Sequence, residues 1–137
     1  MVQRFSSRLN IPSIYVANRI IPLPENPLFT MIVTGNSEGA ADDHICEHIL
    51  PDDIAITRDI PLAERLVARN ITVLNDRGVL FTPENIWERL SLRNFNLALV
   101  EIRESAEKTM VYNKRDVGNF ANCLDREITR KLKYPSA

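Results

Sequence analysis

The stretch Asp53-Ile-Ala-Ile-Thr-Arg-Asp-Ile-Pro-Leu-Ala63 decides the fold class of this chain. Its first half is a short apolar run, which is typical of a buried strand, and its second half carries an acid and a proline where a helix would start. A second β-branched run follows at Ile71-Thr-Val-Leu74. Strand, helix and strand in this order predict two parallel strands joined by a right-handed crossover.

The same alternation extends toward the N-terminus. Two runs rich in β-branched and aromatic residues, Ser13–Ala17 and Leu28–Val33, lie on either side of a proline-rich segment and are predicted to be buried strands. The spacing of apolar residues before Asn10 is typical of the last turns of a helix. A further helix is predicted at about residues 40 to 50.

Toward the C-terminus the sequence predicts two long helices. Thr82 is a good N-cap, and Pro83 suits the first helical position. The last helix is expected to begin after Asn113, and its apolar residues recur on one face. That face consists of Val117, Phe120, Ala121, Leu124 and Ile128. With no internal repeat, residues 1–137 are expected to form one α/β domain with a mostly parallel sheet flanked by helices.

Composition argues against several classes of protein. The chain has 137 residues and a formal net charge of −1, so no global attraction draws it to nucleic acid or anionic lipid. No apolar segment approaches the roughly 18 residues needed to cross a bilayer, and the N-terminal segment does not resemble a signal peptide. Cys46 and Cys123 are isolated thiols, so both are expected to be packing residues rather than halves of a disulfide framework. We therefore expect a cytoplasmic protein without membrane association.

Three acids are candidate metal ligands and catalytic residues: Asp42, Asp43 and Asp59. They follow predicted strands, and the carboxyl ends of parallel strands share one rim of a sheet, so the three side chains are expected to converge. Asp42 is predicted to face the buried side of its helix, whereas Asp43 points outward. Converging carboxylates suit a hard cation such as Mg²⁺ or Mn²⁺, which can activate water for attack on a phosphodiester.

A structural interpretation of these residues stays open beside the chemical one. Asp is common in first helical turns, where it complements the helix dipole, and Asp59 is a plausible N-cap for the helix that contains Pro61. His44 and His48, one turn apart, could supply two ligands to Zn²⁺, but no third distant His or paired Cys completes the set. The alternative is two exposed surface histidines.

Charge is unevenly distributed along the chain. Residues 36–59 hold seven acids against one arginine, while residues 114–133 hold six bases against three acids. A basic surface beside an acidic metal pocket would suit a nucleic acid, and a solvated face or compensation of a helix dipole is the alternative. The candidate phosphate contacts are Arg58, Arg89 and Arg93, together with Arg126, Arg130 and Lys131 of the last helix.

Several short motifs resemble the bacterial YaiI/YqxD family. They stand in the family's order and cover nearly the whole chain: Gly39-Ala-Ala-Asp-Asp43, Asp53–Ala63, Asp76-Arg-Gly78, Thr82–Ile86 and Glu88-Arg-Leu90. The resemblance implies a PIN-like three-layer α/β fold, related to the NYN group of metal-dependent nucleases. It also implies that Asp42 or Asp43, together with Asp59, matches the acidic positions of that site.

The start of the chain differs from the pattern expected of that family. The family is expected to open with a strand that ends in an Asp-x-Asp-x-Cys-Pro signature, whereas Met1 lies inside what resembles the following helix. The resemblance then implies that the first strand and a principal metal-ligating carboxylate are missing. The chain as given is then expected to be inactive, because its ligand set is incomplete. Three explanations stay open: a start codon upstream of Met1, a gene that has lost its beginning, or a homo-oligomer or partner chain that covers the open edge of the sheet.

Together the residues and the resemblance predict a Mg²⁺- or Mn²⁺-dependent nuclease that hydrolyses phosphodiester bonds, in RNA. The three acids would hold the metal and carry the catalysis, and Arg58, Arg89 and Arg93 would contact the phosphates. The alternative is a non-catalytic module that binds nucleic acid or a protein through the same rim.

Overall fold

A computed structural model of the chain describes residues 2–37, 39–102 and 113–134, with the side chains of residues 93–102 excepted. The chain divides into two compact units, Met1–Ile49 and Leu50–Ala137. The described strands form two separate two-stranded parallel sheets, one in each unit. The predicted α/β class with parallel strands is confirmed.

The first unit holds two helices and two strands. These are α1 (Val2–Leu9), β1 (Ser13–Ala17), β2 (Phe29–Val33) and α2 (Ala40–His48). Helix α1 ends at Leu9 and is followed by Asn10, whose φ of 58° lies in the left-handed region that Asn tolerates. Strands β1 and β2 pair in parallel, with Tyr15 opposite Met31. The predicted helix end and both predicted strands are confirmed.

The strands of the first unit are less buried than the sequence predicts. No residue of either strand is fully buried, and Ile14 and Val33 are 64% and 50% exposed. The fully buried positions described in this unit are Phe5 and Ser6 of α1. The prediction of two buried strands is wrong. An apolar run indicates that the backbone is extended, but it does not indicate whether other elements pack on both faces of the strand.

The second unit contains the predicted strand–helix–strand crossover. Its elements are β3 (Ile54–Ile56), α3 (Ile60–Val67), β4 (Thr72–Leu74), α4 (Pro83–Ile102) and α5 (Lys114–Lys133). Strands β3 and β4 are parallel, with Ala55 opposite Val73. Helix α3 packs on both β4 and α4, and α5 contacts β4. All three residues of β4 are buried, as expected for a strand covered by helices.

The described apolar core lies mostly in the second unit. Apart from Phe5, the buried hydrophobic residues are Leu62, Ala63, Leu66, Val67, Ile71, Val73, Leu74, Phe81, Ile86, Phe120, Cys123, Leu124 and Ile128. The apolar face predicted for the last helix is confirmed, because three of these residues belong to it. None of the described helices is long and apolar enough to cross a membrane.

Reciprocal side-chain bonds fix the starts of the two long helices. At α4, the Asn85 backbone N–H donates to Thr82 Oγ1 at 3.1 Å, and the Thr82 N–H donates to Asn85 Oδ1 at 2.8 Å. At α5, Asn113 and Asp116 form a full capping box, with bonds of 3.0 and 3.1 Å. The N-cap predicted at Thr82 and the boundary predicted at Asn113 are therefore confirmed.

Residues 75–79 form a tight turn after β4, called the β4 turn below. Gly78 has a φ of +84°, and a Cβ built there would lie 2.5 Å from the backbone carbonyl carbon of Asn119 in α5. Within the turn, Asn75 Oδ1 accepts a hydrogen bond from the Arg77 backbone N–H at 2.9 Å. The turn is thus fixed both by its own bonds and by the close approach of α5.

Candidate functional site

The carboxyl ends of β3 and β4 meet at one edge of the second unit, because the two strands are parallel. We call the residues that follow them, 57–59 and 75–77, the β3–β4 rim. The Thr57 backbone N–H donates to the Leu74 carbonyl at 3.0 Å, so the pairing continues to the first rim residue. Open parallel sheets bind their ligands at such an edge.

Asp59 caps helix α3 from this rim. Its Oδ1 accepts a hydrogen bond from the Leu62 backbone N–H at 2.9 Å, and its own N–H donates to Thr57 Oγ1 at 3.0 Å. The N-cap interpretation of Asp59 is therefore confirmed. The residue is exposed and its carboxylate has a second oxygen, so a capping role and a metal-ligand role are chemically compatible.

Arg58 and Asp76 form a bidentate ion pair across the rim. Arg58 Nε donates to both carboxylate oxygens of Asp76 at 2.9 and 2.8 Å, and one terminal nitrogen lies 2.5 Å from Oδ2. The side chains are 66% and 32% exposed. An ion pair this exposed contributes roughly 0 to 1 kcal/mol to stability, so exchanging the carboxylate for another anion is energetically cheap.

The rim continues to the start of α5. Arg77 Nε lies 3.9 Å from Asp116 Oδ2, the carboxylate that also completes the capping box of that helix. The sequence interpretation did not select Asp76 or Asp116 as site residues. The signal for Asp76 was present, since it lies two residues after the end of β4, and Asp59 lies three residues after the end of β3.

The two other arginines predicted to contact phosphate lie on α4. The guanidinium carbon of Arg89 is 5.7 Å from the ring centre of Phe81, so it lies at a cation–π distance from a buried ring. Arg93 is a helical residue whose side chain lies outside the described set. Phosphate contact by either residue stays a prediction.

Asp42 and Asp43 lie in the first turn of α2, in the first unit. Asp42 is half-buried and Asp43 is exposed, which agrees with the orientations predicted for them. Both carboxylates complement the positive end of the helix dipole. Asp59 belongs to the second unit, and among the described residues no three His, Cys, Asp or Glu side chains form a group that could hold a metal ion.

The described acids suit a cation whose remaining ligands are water molecules and the phosphate oxygens of a substrate. Magnesium in proteins is commonly held by one or two carboxylates, several waters and the phosphate oxygens of a substrate. The exposed carboxylate of Asp59 can supply an oxygen ligand of this kind. The donor chemistry therefore fits Mg²⁺ or Mn²⁺ arriving with a phosphate group.

His44 and His48 do not form a zinc pair in the described conformation. Their rings are stacked, with centroids 4.1 Å apart and planes 19° from parallel, and His48 Nδ1 lies 2.9 Å from the His44 carbonyl oxygen. A metal ion must lie in the plane of each ring that binds it, about 2.0–2.1 Å from the nitrogen, and two stacked rings offer no such common point. His48 is exposed, whereas His44 is half-buried, so the surface interpretation holds fully only for His48.

The two cysteines differ in burial. Cys123 is 1% exposed, and burial raises the pKa of its thiol while the neighbouring Arg126 partly opposes that change. Cys123 is thus the packing residue that the sequence predicts. Cys46 is half-buried in α2.

Comparison with known proteins gives matches along nearly the whole chain. Residues 1–130 match the family model described as "Uncharacterized BCR, YaiI/YqxD family". The chain is 45% identical to a UPF0178 protein of Treponema denticola, over 92% of this chain and 80% of that protein. It is also 40% identical to a UPF0178 protein of Myxococcus xanthus, over 97% and 87% of the two chains. No solved structure gives a significant match.

Proposed function

The chain belongs to the YaiI/YqxD family, and from this premise we propose that it is a metal-dependent nuclease of the PIN-like class, which hydrolyses phosphodiester bonds in RNA. The β3–β4 rim carries the proposal. There an exposed acid, Asp59, and an exposed arginine, Arg58, are adjacent at the carboxyl ends of two parallel strands. This placement and this pair of charges suit a phosphate and its cation.

The rim residues have distinct roles in this proposal. Asp59 binds the cation through the carboxylate, while its Oδ1 keeps the cap on α3. Arg58 exchanges Asp76 for two oxygens of the substrate phosphate, since a guanidinium binds either anion in the same bidentate geometry. Arg89 and Arg93 extend this contact along the RNA backbone.

When bound, Mg²⁺ or Mn²⁺ would supply an activated water. One water would be consumed: its oxygen would bond to phosphorus as the ester P–O bond breaks, and the proton that it releases would balance the proton gained by the departing oxygen. Arg58 neutralises the charge that develops on the phosphate oxygens during this exchange.

A cleavage assay with a labelled single-stranded RNA tests the proposal. We expect cleavage that Mg²⁺ or Mn²⁺ stimulates and a chelator abolishes, and a loss of about a hundredfold or more in Asp59→Asn, in the range seen when a charge-stabilising group is removed. Glu25→Gln, which neutralises an exposed acid in the first unit, is the control and keeps the wild-type rate. Wild-type cleavage by Asp59→Asn would remove Asp59 from the catalytic site.

The second candidate is a non-catalytic module that binds nucleic acid or a protein at the same rim. It is favoured by the finding that Asp59, Asp76 and Asp116 all make structural contacts among the described residues. RNA binding that is equal with and without chelator, in a protein that cleaves no substrate with either metal, would support the module and contradict the nuclease.

A further inference from the structure

We propose that the exposed face of α5 binds single-stranded RNA along its sugar–phosphate backbone. This inference rests on the proposed function, since it names the surface that holds the substrate. The surface consists of Arg115, Asn122, Arg126, Thr129 and Lys133 and is called the α5 stripe below; all five residues are exposed.

Helical geometry places these residues in one row. Arg115 and Lys133 are eighteen residues apart, which is five full turns and about 27 Å along the axis, so they project from the same side of α5. Asn122 and Arg126 lie between them at spacings that return to this side. The opposite side of the helix is buried and holds Phe120, Cys123, Leu124, Glu127 and Ile128.

The acids of α5 do not neutralise the stripe. Asp116 completes the capping box and lies near Arg77. Glu127 is 4% exposed on the buried side, where Arg130 binds it at 2.6 Å. Asp125 lies at one edge of the exposed face. The stripe is therefore a local basic row on a chain whose net charge is −1.

Compensation of the helix dipole does not explain this row. A cation in the last turn, such as Lys133, is favourable there because the C-terminal end of a helix carries partial negative charge. Arg115 lies in the first turn, where the dipole is positive and a cation is disfavoured. Basic residues spread along one face can contact several phosphates of a long anionic ligand.

Two neighbouring residues favour a single strand over a duplex. Tyr134 follows Lys133 directly and is 76% exposed, so its ring is available for stacking with an unpaired base. A Cβ built on Gly118 would meet nothing within 4 Å, so that side of the helix is open to a ligand backbone. A basic track with an exposed aromatic ring is the usual composition of a single-strand binding surface.

Fluorescence anisotropy with a labelled oligouridine of about 12 nucleotides tests the proposal. The measurement is made in chelator, so that it reports binding without cleavage, between about 50 and 200 mM salt. In Arg115→Gln/Lys133→Gln we expect the slope of log affinity against log salt to become shallower by about 1.4, since each backbone contact to a single strand contributes about 0.7. Arg4→Gln/Arg19→Gln removes the same charge from exposed positions of the first unit and should leave the slope unchanged.

Further variants test the contributions of charge and of base stacking to RNA binding separately. Arg115→Lys/Lys133→Arg keeps the charges and should keep the wild-type slope. Tyr134→Ala should weaken single-strand binding about fivefold or more, with little change in slope, because a stacked base carries no charge. Circular dichroism confirms that each variant is folded.

Several results would overturn the proposal. These are a wild-type slope in the stripe variant, an equal loss in the Arg4/Arg19 control, or competition by polyglutamate as effective as that by the oligonucleotide. A chain that binds RNA through the stripe but cleaves nothing would contradict the nuclease and leave this inference standing.

Discussion

Gly78 lies where any side chain would collide with α5. Its φ of +84° is strained for other residues, and an added Cβ would lie 2.5 Å from the carbonyl carbon of Asn119. We expect Gly78→Ala to lower the free energy of unfolding by roughly 2 to 4 kcal/mol, because backbone strain and overpacking add. Urea denaturation measures this loss.

Gly118→Ala is the matched control for that substitution. Gly118 lies inside α5, and an added Cβ there would meet nothing within 4 Å. Alanine should raise the free energy of unfolding by roughly 0.5 to 1 kcal/mol, because it restricts the unfolded chain and favours helix. Equal effects of the two substitutions would contradict the close contact between the β4 turn and α5.

Two substitutions separate the capping role of Asp59 from its charge. Asn is as good an N-cap as Asp, so Asp59→Asn should keep the free energy of unfolding within about 0.5 kcal/mol of wild type. Asp59→Ala removes the bond to the Leu62 N–H and should lower it by about 1 kcal/mol. Thermal denaturation of both variants checks this order, and a larger loss in the Asn variant would argue against the cap.

The buried thiol of Cys123 is expected to lower the free energy of unfolding at alkaline pH. Burial raises its pKa above the ordinary value of 9.0, so the unfolded chain loses this proton more readily than the folded one. The resulting stabilisation is complete below pH 9 and is lost as the pH rises through the folded pKa. We expect the stability difference between pH 7 and pH 10 to be smaller in Cys123→Ala than in the wild type, as measured by urea denaturation at each pH.

Among the elements, those with local signals were predictable from the sequence. The β3–α3–β4 crossover, the Thr82 cap and the start of α5 depend on β-branched runs, prolines and capping residues that lie next to one another in the chain. The burial of β1 and β2 depends on which layers cover them, and a local pattern does not carry that information.

The candidate site was predictable to the same extent. The cap at Asp59 is a local feature that the sequence alone indicates. Phosphate contact by Arg58 stays a prediction. Its partner Asp76 is eighteen residues away, and only the parallel pairing of β3 with β4 brings the two together. Metal binding by Asp42, Asp43 and Asp59 stays a prediction, because no three acids, histidines or cysteines among the described residues form a group that could hold a metal ion.

Helix α5 carries a buried carboxylate that depends on one cation. Glu127 is 4% exposed and binds Arg130, whose Nη2 also reaches Thr72 Oγ1 of β4 at 3.5 Å. We expect Arg130→Ala to lower the free energy of unfolding by roughly 1 to 3 kcal/mol, because it leaves a buried charge without a partner. This loss is smaller than that expected for a fully buried ion pair, because Arg130 is 54% exposed.

A double-mutant cycle tests this dependence. Adding Glu127→Gln to Arg130→Ala should recover part of the loss, since a neutral amide is cheaper to bury than an unpaired carboxylate. Lys133→Ala, an exposed cation on the same helix, should change stability by less than about 0.5 kcal/mol. Additive losses in the cycle would show that Glu127 and Arg130 do not interact in solution.

For the molecule as a whole, the uneven distribution of buried apolar residues predicts that backbone amides of the two units differ in their protection from hydrogen exchange. All described buried hydrophobic residues except Phe5 belong to the second unit. We expect backbone amides of β1 and β2 to exchange with solvent at least about tenfold faster than those of α3 and β4, because local opening there exposes less buried apolar surface. Hydrogen exchange followed by mass spectrometry measures this difference, and equal protection would show one cooperative unit.

The contact of β4 with α5 also has a consequence for how the protein is made. Leu74 ends β4, and Lys114, forty residues later, begins the helix that packs on it. At a synthesis rate of about 5 to 20 residues per second, the ribosome needs roughly two to eight seconds to add that span. During this time α5 does not yet exist to cover β4. The growing chain therefore exposes apolar surface to which a chaperone at the ribosome would bind.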